Sequence, residues 1–190
     1  EDRDLALRLL GYMNFFTSDR IYQSIYNALD KLHKETQEGK IKIISIRKIK
    51  KGSEGTTGGQ SGKLIAYYAR KASEAVCKTK IKVIREEDLK RLHKTKKYKI
   101  VLIDDIFGTG ETFLDFYDYI KDSIAPNWEI AALAVAYMPL AEKKMRRRHI
   151  KVYGEPIISI FQAIREAGMK DSTNESIYKK LSIKYGKKLV

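Results

Sequence analysis

Apolar positions along the chain alternate between two spacings. Leu5, Leu9 and Leu10 form one stripe. After the capping pair Thr17-Ser18 a second stripe runs through Ile21, Ile25, Leu29 and Leu32 to about Glu35, and Gly39 closes the segment. Recurrence every three or four residues predicts helices. Ile41, Ile43, Ile44 and Ile46 then crowd into a short β-branched run, which predicts a strand, and a polar glycine-rich loop follows from Lys50 to Ser61. Leu64, Ile65, Tyr68, Ala69, Ala72 and Val76 return to helical spacing over about Gly62 to Lys78, and Lys80 to Ile84 reads as the next strand. A basic connection with helical character leads to Ile100 to Ile103, whose unbroken apolar character suits a strand buried on both faces. Thr109 is the expected cap of a helix carrying Phe113, Phe116, Tyr117 and Ile120. Beyond it come a strand from Ile130 to Tyr137, a basic helix from Ala141 to Arg148 and a strand from Ile150 to Tyr153. Tail helices are expected around Ile158 to Ala167 and Glu175 to Tyr185.

Strands alternating with helices predict an α/β fold, a Rossmann-like parallel sheet with helices on both faces. The chain has 190 residues, enough for one such domain spanning 1–190: a core of about 41–155, N-terminal helices over 1–38 and a C-terminal helical tail over 156–190.

The most specific stretch is Val101 to Thr112. With Ile100 just before it, four apolar residues end in Asp104 and Asp105; Ile106 and Phe107 follow, then Gly108 and the turn Thr109-Gly110-Glu111-Thr112. Backbone N–H groups of Gly108 to Thr112, with the hydroxyls of Thr109 and Thr112, form an anion cradle at the positive end of a helix. The two carboxylates do not suit phosphate. They suit sugar hydroxyls, or Mg²⁺ held through water. A ligand with a phosphate at one end and a polyhydroxylated ring at the other satisfies both halves, which is a ribose 5-phosphate.

This pattern resembles the phosphoribosyl pyrophosphate (PRPP) motif of type I phosphoribosyltransferases: four apolar residues, an acidic pair, two apolar residues, any residue, then Thr-Gly-x-Thr. Each constrained position is met. The resemblance implies the type I phosphoribosyltransferase fold, PRPP or a related ribose phosphate as ligand, Mg²⁺ as cofactor and, as in many members, a homodimer. It also implies that Gly108, Thr109, Gly110, Glu111 and Thr112 hold the 5-phosphate, and that Asp104 and Asp105 hold the ribose hydroxyls, directly or through metal.

The loop ending Gly58-Gly59-Gln60-Ser61-Gly62-Lys63 invites comparison with a nucleotide-triphosphate loop and fails it. Thr57 stands where the first glycine is required, and Leu64 stands where Ser or Thr must follow the lysine. What remains is a second anion cradle, with Ser61 or Gly62 at the helix start. The resemblance makes Gly59, Gln60, Ser61, Gly62 and Lys63 the pyrophosphate loop. It also casts Arg85 and Lys90, with Arg91, His93 and Lys94 beside them, as cations that close over the departing pyrophosphate. The alternative reading of that connection is a solvated basic helix face. The end of the Ile130–Tyr137 strand, at Tyr137 and Met138, is where a nucleobase would lie in this family.

Composition adds a net charge of +14 and a single cysteine, Cys77. One cysteine excludes an intrachain disulfide and a cysteine-based zinc site, and the expected compartment is a reducing cytoplasm. No apolar run reaches the roughly 18 residues of a membrane span, so no membrane partner is expected. Basic residues cluster at Arg47 to Lys51, Lys90 to Lys99, Lys143 to Arg148 and Lys179 to Lys188, which suits a nucleic-acid or protein partner on a basic surface. Two functions follow. One is an enzyme that binds PRPP and Mg²⁺ and transfers the phosphoribosyl group to a base or other acceptor. The other is a PRPP- or nucleotide-sensing regulator, or bacterial defence effector, acting with nucleic acid or a protein.

Overall fold

A helix, α1 (Ser18–Glu35), leads into the fold. Its first turn is capped by Thr17, whose hydroxyl accepts from the Arg20 N–H at 3.3 Å, and it buries Ile25, Leu29 and Leu32 along one stripe. The computed structural model describes residues 17–36, 39–49, 56–57, 60–77 and 80–157, without the side chains of 56, 57, 60, 61 and 63. The expected helices around Leu5 to Leu10 and in the tail lie outside these residues, as does the test of whether 1–190 is one domain. Residues Phe16–Pro156 form one compact unit, described here.

Five strands make a parallel sheet in the order β4 (Ile81–Val83), β1 (Lys40–Ser45), β5 (Tyr98–Phe107), β6 (Glu129–Tyr137), β7 (Lys151–Pro156). Every pair in it is parallel, with Ile43 opposite Val101 and Val101 opposite Ala131. Helices α1 and α2 (Gln60–Cys77) cover one face, packing Ile25, Leu29, Ile65 and Ala69 on Ile41, Ile43, Val101 and Leu133. Helices α3 (Glu111–Ile120) and α4 (Pro139–Arg146) cover the other, packing Phe113, Phe116 and Met145 on Ile44, Ile100, Leu102 and Ala132. The α/β class with helices on both faces is therefore as expected. The central strands read as unbroken apolar runs because both of their faces are buried. Trp128 is buried edge-on against Tyr98 and donates its indole N–H to the Lys96 carbonyl at 3.0 Å.

Four local expectations are corrected. The motif strand does not stop at Ile103; its ladder to β6 continues to Phe107 opposite Tyr137, because backbone pairing is indifferent to the polarity of Asp104 and Asp105. The glycine-rich segment is not loop throughout: β3 (Thr56–Thr57) lies within it and pairs antiparallel with β2 (Lys48–Ile49) just before it. Helix α2 starts at Gln60, before Ser61 and Gly62. The basic connection is a 3-10 turn over Glu86–Arg91 with Leu89 buried beneath it.

The chain order sets where a ligand fits. From β1 the chain crosses through α2 to β4 on one side, then passes β1 to reach β5 on the other. The order of strands thus reverses between β1 and β5, and the crevice outside their carboxyl ends is where open α/β sheets bind ligands.

Candidate functional site

The acidic pair sits in the last turns of β5, beside that crevice. Strand alternation puts Asp104 on the face of Ile100 and Leu102, and Asp105 on the face of Ile103. Asp104 Oδ1 accepts the Asp105 N–H at 2.9 Å, and Asp105 Oδ1 accepts the Ile106 N–H at 2.8 Å, so neighbouring backbone fixes both carboxylates. Burial pushes the Asp104 carboxyl up to about 7, and the Asp105 charge pushes it the same way; the Asp105 N–H and the Lys48 ammonium pull it back.

The turn that follows is shaped by glycine. Gly110, at φ +79°, is the cap residue of α3, so Thr109 is not the cap. A Cβ on Gly110 would stand 3.2 Å from the Ala141 Cα, so both the left-handed backbone and the approach of α4 require glycine there. Thr109 contributes one weak bond, its hydroxyl accepting the Glu111 N–H at 3.4 Å. The first helical bond across the turn is Leu114 N–H to Gly110 carbonyl, which leaves the N–H groups of 111–113 directed out of the helix start. A Cβ on Gly108 would meet nothing within 4 Å, so the space over the turn is open. Glu111 turns its carboxylate to Lys144 of α4 at 3.1 Å, and Thr112 is exposed.

The second turn, after β1, is packed differently. Gly62 is buried in the first turn of α2, and its carbonyl accepts the Ser45 hydroxyl at 3.0 Å. A Cβ there would come within 2.8 Å of that hydroxyl oxygen. Gln60, Ser61 and Lys63 lie in the same turn of helix; Gly59 lies outside the described residues. Beside this turn opens a cavity of about 570 Å³ between the ends of β1 and β4, lined by Arg47, Gly62, Ala66, Arg70, Arg85 and Asp88, among others. Arg85 is thus at the site's mouth. Lys90 is exposed on the 3-10 turn and does not line the cavity. Arg47 is held by Glu86 at 3.2 Å.

The family model described as PRTase-CE matches residues 1–188. The chain belongs to the PRTase-CE family. This is a phosphoribosyltransferase-type family, in agreement with the acidic pair and the Thr-Gly-x-Thr turn. No curated protein sequence is similar to the chain. Among solved structures, orotate phosphoribosyltransferase from Aeropyrum pernix is similar over 82% of this chain and 84% of its own, at 12% identity and a TM-score of 0.43. Purine phosphoribosyltransferase from Pyrococcus horikoshii covers 76% and 89%, at 19% identity and 0.46. Xanthine-guanine-hypoxanthine phosphoribosyltransferase from Helicobacter pylori covers 80% and 95%, at 8% identity and 0.48.

Sequence reasoning passed over Arg70 and Lys48 in this PRTase-CE chain. Gly62, Ala66 and Arg70 recur every fourth residue, so one face of α2 offers two small residues and then a guanidinium. That spacing, directly after a glycine-rich loop, was the available signal. Lys48 lies in β2, and only its approach to Asp104 reveals it. At the end of β6, Tyr137 is half-buried, and Met138 donates its N–H to the Phe107 carbonyl at 2.8 Å, tying this end to the motif strand. Burial and the nearby Glu142 raise the Tyr137 phenol.

The donor set decides what kind of metal fits. Among the described residues no group of three or more His, Cys, Asp or Glu converges, so a site closed by protein ligands alone is not built. Two adjacent carboxylates fit Mg²⁺, which keeps several waters and takes its other oxygens from a phosphorylated ligand. No helix among the described residues is long and apolar enough to cross a membrane.

Proposed function

We propose that the protein binds PRPP with Mg²⁺ at the carboxyl ends of β1, β4 and β5 and transfers the phosphoribosyl group to a nitrogenous base or other acceptor, releasing pyrophosphate. The observation that carries this reading is the acidic pair Asp104-Asp105 set directly before an open helix start at the crossover between β1 and β5. The N–H groups of 111–113, with Thr109 and Thr112, take the 5-phosphate, and Gly108 leaves room for it. Asp104 and Asp105 take the ribose hydroxyls and keep negative charge near the anomeric carbon.

In the transfer, the bond from that carbon to the pyrophosphate oxygen breaks and its electron pair leaves with pyrophosphate. The acceptor nitrogen supplies the pair for the new bond and releases its proton to solvent. Positive charge develops on the ribosyl ring as the old bond lengthens, and the carboxylates below it stabilise that charge. Mg²⁺, which Asp104 and Asp105 would hold through water, would supply positive charge to offset that of the leaving pyrophosphate. Arg85, at the cavity mouth, is suited to meet the leaving group. The acceptor side would be the end of β6, at Tyr137 and Met138.

Pyrophosphate release from PRPP, measured with a panel of purine and pyrimidine bases and amines, tests this. Release by the wild-type protein, lost in Asp104→Asn/Asp105→Asn, is the expected result. Equal release by the double variant contradicts it.

A further inference from the structure

A dense group of cations lies at the pole of the sheet opposite the acidic pair. All five strands are parallel, so all begin at the end of the sheet opposite the acidic pair. Three adjacent strands enter there with the same pattern: Lys80-Ile81-Lys82 on β4, Lys40-Ile41-Lys42 on β1 and Lys97-Tyr98-Lys99 on β5. The register sets Lys42 opposite Lys82, while Lys99 stands opposite Ile41, so the lysines of β5 project to the other face of the sheet. The loop entering β5 adds His93, Lys94 and Lys96, all exposed. Helix ends deliver further cations to the same pole, since each helix runs back across the sheet: Arg147 and Arg148 follow α4 just before β7.

Three acidic residues at this pole are already engaged, while Glu74 and Asp122 stand exposed. Glu129 meets Lys99 at 3.0 Å, Glu35 accepts from Lys151 at 2.7 Å and from the Tyr153 hydroxyl at 2.6 Å, and Asp118 meets Arg148 at 2.7 Å. Lys42 registers the field that is left over. It is buried, with burial and then the charges of Lys82 and Lys40 lowering its ammonium below the usual lysine range. A basic pole with so little free counter-charge suits a polyanion.

We infer that the amino-terminal rim of the sheet, centred on Lys40, Lys82, Lys94 and Lys96, is a binding surface for the phosphate backbone of nucleic acid. Parallel strands stand about 4.8 Å apart, so the rim is a rigid row of cations rather than a single point charge. A membrane fits it less well. The large exposed apolar side chains among the described residues are Leu64, Tyr67, Ile106, Tyr119 and Leu140, and none is on the strand starts or the loop entering β5. With no exposed aromatic side chain on the strand starts or the loop entering β5 to stack on bases, the contact is to backbone, and sequence preference is weak. Tyr98 and Asp104 are six residues apart on β5, about 20 Å at strand rise. A phosphate held on the rim is therefore not one that occupies the same chain's acidic pair, and the surface stands whether or not the transferase reading holds.

Fluorescence anisotropy with labelled duplex DNA, duplex RNA and single strands of each, over 50 to 300 mM salt and without PRPP, tests the inference. The expected result is binding that weakens steeply with salt. Lys40→Glu/Lys82→Glu is expected to lose at least about tenfold in affinity and to lower the salt slope by about 2. Lys94→Glu/Lys96→Glu, on the loop, should behave alike if the first pair disturbs the sheet edge; circular dichroism and thermal melting report folding. The charge-matched change Arg20→Glu/Lys143→Glu, away from the rim, is expected to stay within about twofold, and saturating PRPP is expected not to displace the strand. The relative strength of the four probes identifies which nucleic acid is preferred. No binding to any probe at 50 mM salt, equal loss in the charge-matched variant, displacement by PRPP, or binding only to vesicles of phosphatidylcholine and phosphatidylserine would each overturn the proposal.

Discussion

The turns after β5 and after β1 lie side by side at one end of the sheet and are built on opposite plans. After β5, the helix starts on a left-handed Gly110 and its first N–H groups face open space, with two carboxylates just upstream. After β1, the helix start is closed in: Gly62 is buried against Ser45, and the open space lies to the side, among Arg47, Arg70 and Arg85. Backbone donors and carboxylates suit a ligand with a phosphate and hydroxyls. Guanidinium groups suit an anion alone. Under the proposed function each end of a ribose phosphate carrying pyrophosphate would have its own turn, and the difference can be broken residue by residue.

The largest effect is expected from the carboxylates. Asp104→Asn/Asp105→Asn is expected to lower kcat/KM by at least about a thousandfold while thermal unfolding stays cooperative, because charge near the anomeric carbon is needed mostly in the transition state. On the other turn, Arg85→Ala is expected to lower kcat about ten- to a hundredfold. Lys90→Ala is expected to change it no more than about threefold, since Lys90 is exposed and off the cavity. Equal effects of the two would show that the connection moves as a whole over the ligand.

The two glycines of the β5 turn separate shape from stability. Gly110→Ala places a Cβ at positive φ and against Ala141, and is expected to cost about 1–3 kcal/mol by denaturant unfolding. Gly108→Ala meets no neighbour and is expected to leave stability within about 0.5 kcal/mol, yet to weaken PRPP binding about tenfold by filling the cradle. A Gly108→Ala variant that binds normally would remove that turn from the phosphate site.

The sign of the pH effect follows from Asp104. Its carboxyl is raised to about 7 in the folded chain, so between about pH 4 and 7 the native state holds a proton that the unfolded state has lost. Stability therefore falls as pH rises through that window and levels off above it. Asp104→Asn is expected to flatten the fall and to gain about 1–2 kcal/mol at pH 8, a figure reduced for solvent screening of a partly exposed group. Binding that uses the charged carboxylate runs the other way: affinity for PRPP with Mg²⁺ is expected to rise with pH up to about 7 in wild type and to lose that dependence in Asp104→Asn. The smallest change is Glu111→Ala. It breaks only the exposed bridge to Lys144 and is expected to alter stability by less than about 1 kcal/mol.

The same contrast explains what was legible in the chain. The β5 turn is local: its carboxylates, glycines and threonines follow one another from Asp104 to Thr112, and an unbroken apolar run marks the strand that bears them. Helix α1 was equally plain, because its buried stripe and its Thr17 cap are both written at short range. The cavity beside β1 was not legible, since Arg47, Arg70 and Arg85 come from the link between β1 and β2, a helix face and the start of the 3-10 turn after β4, and only the sheet order β4-β1-β5 brings them together. The basic rim depends on register in the same way. Strands β2 and β3 have two residues each, too few for alternation to show, and the extension of β5 to Phe107 rests on backbone pairing that side-chain pattern does not report.

Calorimetric titration of PRPP with Mg²⁺ into wild type and into Asp104→Asn/Asp105→Asn is the most direct test of the acidic pair and its cradle as a ribose-phosphate site. Saturable one-to-one binding to wild type, weakened at least about a hundredfold in the double variant, is the predicted result. Binding of equal strength to both, or to neither while both remain folded, contradicts the assignment.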